Sequence, residues 1–69
     1  MDSKQRAILN EIMPGIVFVE NRMGQLVAVE ELSKHLSGKV SKKDIAWAID
    51  YLNENCVIYT PKEGYLVRF

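Results

Sequence analysis

The sequence predicts a small α+β domain: three helices and an antiparallel sheet that closes in a hairpin. Three observations carry that expectation. Apolar residues recur at helical spacing in three separate segments. The third of these opens with "SKKD", a serine followed three residues later by a carboxylate. Finally, the last stretch, "CVIYTPKEGYLVRF", sets two β-prone runs around a proline–glycine turn.

The first element is "DSKQRAILNEIM". Ser3 is positioned to cap it, and Gln5, Ile8, Leu9 and Ile12 fall at i, i+3, i+4 and i+7. Pro14-Gly15 is expected to end or kink this helix, because proline lacks the amide hydrogen and crowds the preceding turn. Two readings of "IVFVENRMGQLVAV" stay open. In one, Ile16–Val19 and Gln25–Val29 are short strands around "NRMG". In the other, the helix continues past a kink, since Ile12, Ile16, Val19 and Met23 also share one helical face. The balance favours extended structure only near Gln25–Ala28.

"VEELSKHLSG" reads as a second helix with Val29, Leu32 and Leu36 as its buried stripe. Its acids lie in the first turn and Lys34 and His35 near the last, matching the helix dipole, and Gly38 can supply a left-handed exit. Ser41 then caps a third helix whose core face is Ile45, Ala48, Ile49 and Leu52. Asn53 and Asn55 mark its end, because asparagine tolerates the left-handed conformation. In the terminal hairpin, Val57–Thr60 and Tyr65–Phe69 flank "PKEG", with Gly64 at the left-handed position. Tyr59 and Tyr65 are expected to pair across it, and the final strand is expected at a sheet edge, open to augmentation. This order over residues 1–69 is that of one winged helix-turn-helix domain, with Leu26–Ala28 adding a third strand.

"VSKKDIAWAIDYLNENCVIYTPKEGYLVRF" resembles the C-terminal winged helix of the replication protein A middle subunit. It is also similar to the winged helix that ends archaeal minichromosome maintenance helicases. The shared features are a serine-capped helix, a stripe ending like "AIDYLNEN", an "IY" strand and a "P-x-x-GY" hairpin. Asn55-Cys56 departs from the pattern, which has a glycine there, and "IVFVENRMG" is longer and more apolar than expected. The resemblance implies an interaction module of DNA replication or repair.

Composition narrows the function classes. A chain of 69 residues buries only about 60% of its unfolded surface, leaving little room for a deep catalytic cleft. No apolar run approaches the roughly 20 residues of a membrane span. One histidine, one cysteine and no phosphate-binding glycine loop argue against an enzyme, a metal site or a cofactor. His35 reads as a solvated surface residue, and Cys56 as a buried structural thiol. A lone cysteine also favours an intracellular setting, cytoplasm, nucleoid or nucleus.

Net charge is zero, yet it is segregated. Lys34, His35, Lys39, Lys42 and Lys43 form a basic knuckle without an acid, and Asp44, Asp50 and Glu54 follow without a base. Lys39, Lys42, Lys43, Lys62 and Arg68 are the candidate phosphate contacts, for weak, salt-sensitive DNA binding. Base-edge readout favours Arg, Asn, Gln or Lys, whereas the expected outward face of the third helix offers Ala46, Trp47, Asp50 and Tyr51 beyond Lys43. Trp47 and Tyr51 are one turn apart and suit a protein interface, with Asp50 at its rim. Tyr59 and Tyr65 are secondary candidates. The leading expectation is therefore a non-enzymatic module that binds a basic or amphipathic partner helix. Packing of Trp47 as core against the first helix or the hairpin is the competing account of that residue. The alternative function is a DNA-binding transcriptional regulator using Lys39, Lys42, Lys43 and Lys62.

Overall fold

The computed structural model describes residues 2–69. They form α1 (Ser3–Met23), β1 (Val27–Ala28), α2 (Val29–His35), α3 (Lys42–Glu54), β2 (Ile58–Tyr59) and β3 (Tyr65–Arg68). The class is α+β, three helices with a three-stranded antiparallel sheet.

Asp2, not Ser3, caps α1. Its Oδ1 accepts from the Gln5 amide at 2.8 Å, and the Gln5 side chain accepts from the Asp2 amide at 3.2 Å. The reciprocal pair needs an acceptor three residues on, which Gln5 provides for Asp2. Ser3 would face Arg6, which has only donors.

The helix does not stop at Pro14-Gly15. It runs unbroken for 21 residues, which resolves Ile16–Asn21 as helix and excludes the early hairpin. Pro14 cannot donate to the Asn10 carbonyl, but both residues are exposed, so water can satisfy that oxygen. Gly15 is buried where α2 crosses. A Cβ there would stand 3.2 Å from Leu32 Cδ1 and 3.3 Å from Leu36 Cδ2, so the glycine sets the closeness of the two helices. The Gly24 amide closes α1 on the Glu20 carbonyl at 2.8 Å.

A tight turn through Gly38, at φ 87°, links α2 to α3. Ser41 Oγ accepts from the Asp44 amide at 3.1 Å, giving the expected cap of α3. The far end of α3 differs from expectation. Asn55 has φ −94°, and Cys56 takes the left-handed conformation at φ 59°. The Val57 amide reaches the Leu52 carbonyl at 2.9 Å and the Cys56 amide reaches Asn53 at 3.2 Å. Those two bonds define a Schellman cap with cysteine at the position that favours glycine. Its thiol is exposed rather than buried, because the left-handed turn carries it away from the core.

The strands lie in the order β1-β3-β2. The terminal strand is therefore central, not an edge, since β1 pairs through Val27↔Leu66 and β2 through Ile58↔Arg68. Tyr59 faces Val67 and Tyr65 faces Ala28, so the two tyrosines do not pair with each other. Val27, Ile58 and Leu66 point inward to join Ile12, Ile16, Leu32, Leu36, Ile45, Ala48 and Leu52 in one core without buried polar side chains. No helix among the described residues is long and apolar enough to cross a membrane.

Candidate functional site

The buried face of α3 centres on Ile45, Ala48 and Leu52. Its two flanks meet different neighbours, and this separates the sequence candidates into two groups.

On one flank, Trp47 and Tyr51 stack with ring centroids 5.4 Å apart. Both are half-buried against the core, and Trp47 shares a shallow hollow with Lys4, Gln5 and Ile8 of α1. The expected exposed aromatic patch is half-buried: the two rings form one unit packed against the core, with Trp47 beside the opening turns of α1. Lys43 is exposed beside them.

The opposite flank borders a groove. Its first half, about 680 Å³, lies between α2 and α3 and contains Ser33, Lys34, Ser37, Lys42 and Ile45. Its second half, about 430 Å³, runs on toward the hairpin past Ile49, Asp50, Lys62, Glu63 and Tyr65. Val29 and Ala46 line both halves, so the two halves adjoin at an apolar middle. Val29 and Ile49, expected in the core, pack against it and leave one side open to the groove. Residues Val29, Ser33, Ser37, Ile49 and Glu63 were not candidates from sequence. Ala46 was the available signal, a small apolar residue on the outward face of the helix.

The basic candidates do not converge. Lys42 and Lys62 line opposite halves of the groove, while Lys43 and Lys39 border two hollows beside α1 that share Lys4, Ile8 and Asp44. Lys62 lies over the Tyr65 ring at 4.4 Å from its centroid, a cation–π contact. Arg68 is committed within the chain: Nη2 donates to Glu20 Oε1 at 2.8 Å and Nε to Oε2 at 3.3 Å. That fork occupies the guanidinium expected to meet phosphate. Its hydrogen bonds chiefly hold the Glu20 carboxyl below the ordinary carboxylate value, against an opposing desolvation effect and with a lesser contribution from the guanidinium charge.

Tyr59 faces outward on the sheet and packs against Phe69, centroids 5.0 Å apart. His35 is exposed as expected, but its ring stacks on Phe18 at 4.1 Å. Neither pair touches the groove. No protein-family model, no curated protein and no solved structure matches this chain.

Proposed function

We propose that this chain is a non-enzymatic winged-helix module that binds another protein, in the setting of DNA replication or repair that its sequence resemblance implies. The carrying observation is the chemistry of the exposed arc of α3. Ala46 and Asp50 lie where a DNA reader needs base-edge donors, and beside them runs an apolar-floored groove. A duplex has little use for the methyl of Ala46 and is repelled by Asp50. A protein surface can bury the first and pair the second. The groove lysines Lys34, Lys42 and Lys62 are interleaved with Glu30, Asp50 and Glu63, which supports the same choice, since phosphate affinity rests on several cations acting along one track without opposing acids. Cys56, a free and exposed thiol, suits a reducing intracellular compartment.

Titration of a labelled duplex at about 50 and 150 mM salt tests the proposal against the transcription-regulator alternative. The module reading expects weak binding at the lower salt and none at the higher. Saturable binding at the higher salt, abolished by a Lys42→Ala, Lys43→Ala double substitution, would establish the regulator instead.

A further inference from the structure

We infer that the groove seats one amphipathic partner helix antiparallel to α3, its amino end at Asp50 and Glu63 and its carboxyl end at Lys34 and Lys42. The inference rests on the protein-binding reading above and adds the partner's shape and polarity.

Shape follows from the floor. Val29, Ala46 and Ile49 form an apolar strip between two walls, and the small side chain at Ala46 lets a second backbone approach closely. An amphipathic helix presents one apolar stripe of that kind. The groove follows α3, 13 residues long, so a helix lying along it seats about 12–14 residues, about 20 Å at 1.5 Å each.

Polarity follows from charge. The α2–α3 end carries Lys34 and Lys42 against Glu30, and the hairpin end carries Asp50 and Glu63 against Lys62. The Lys62 ammonium keeps its charge over the Tyr65 ring, so the lining of the hairpin end is net negative by one and that of the α2–α3 end net positive by one. The dipole of α3 has the same sense: its amino end lies by Lys42, and its last turn holds Glu54 and no base. A docked helix brings its own dipole, positive at its amino end, so the antiparallel orientation places unlike ends together. Basic residues in its first turns and acidic residues in its last would add ion pairs at both ends. A duplex, negative along its whole length, matches only one end of such a groove.

The test uses two labelled helical peptides of about 16 residues, sharing one leucine stripe. One has lysines in its first turns and glutamates in its last; the other has the reverse order. Both are side-chain stapled to equal helicity, because the first order opposes the peptide's own dipole. Fluorescence anisotropy should show the lysine-first peptide binding about tenfold more tightly, as expected from several rim pairs together. An Asp50→Lys, Lys42→Glu double variant of unchanged melting temperature should reverse the order. Equal affinities, or a preference unchanged in the variant, would overturn the orientation while leaving a protein-binding role intact. Binding of neither peptide would overturn it too, and a duplex bound in their place at about 150 mM salt would remove the reading beneath it.

Discussion

Replacing Cys56 with glycine should stabilise the domain, although it deletes a side chain. Cys56 holds φ 59° between α3 and β2, and both hydrogen bonds of the Schellman cap depend on that conformation. A left-handed backbone costs a non-glycine residue about 1–2 kcal/mol. Glycine avoids that strain but loses more chain entropy on folding, about 0.5–1 kcal/mol. The exposed thiol has no packing to lose, so the net gain at mid-range is about 0.75 kcal/mol. For a domain of this size that raises the melting temperature by about 2–8 °C. Thermal and urea unfolding followed by circular dichroism measure it, with Cys56→Ala as the control. Alanine retains the Cβ and the strain, so it should stay within about 0.5 kcal/mol of the parent. Equal stabilisation by alanine and glycine would refute backbone strain as the cause, and a loss of stability in the glycine variant would refute the cap itself.

Gly15→Val should destabilise by about 1–3 kcal/mol in urea unfolding, because the added methyls enter the space of Leu32 and Leu36 and overpack the α1–α2 crossing. The Glu20–Arg68 pair should make stability fall with acid. A carboxyl held below its ordinary value by hydrogen bonds contributes stability above that value and loses it as pH falls through the folded one. Glu20→Gln should therefore lower the melting temperature slightly near neutrality and flatten the acid limb of its pH dependence, the parent and variant curves converging at low pH. Trp47→Ala should cost about 1–3 kcal/mol, less than the loss of a fully buried ring because the indole is half-exposed. A change under about 0.5 kcal/mol would show instead that the indole does not pack against the core.

Where sequence and structure agree, a local rule was sufficient. Ser41 caps α3 because a serine three residues before a carboxylate has its acceptor in place. Gly38 and Gly64 take positive φ at 87° and 82° where turns follow. The misreadings occur where a local rule met a tertiary constraint. Pro14-Gly15 reads as a stop, yet the stripe Ile8, Ile12, Ile16 and Val19 passes straight through it into the core. Burying that stripe outweighs one missing hydrogen bond on the solvent side. The glycine beside the proline then serves not as a breaker but as the site of closest approach for α2. Strand order lay beyond local rules as well. "PKEG" predicts the hairpin but not that β1 returns to the far side of β3, which requires the whole of α1 to bring Val27 opposite Leu66.

The division of α3 shows why a helical pattern locates a core more readily than a site. Ile45, Ala48 and Leu52 fix the centre of the buried arc, and spacing alone recovers it. The width of the arc on each side depends on what packs there, and periodicity carries no such information. On the Trp47 side the opening turns of α1 extend the cover, so the largest side chain of the helix is half-buried. On the Ile49 side no helix lies across the arc, and a nominal core residue becomes groove floor. The aromatic pair and the groove are therefore separable by mutation. Loss of Trp47 should be read out chiefly as stability, and charge reversal at Lys42 and Asp50 chiefly as partner preference.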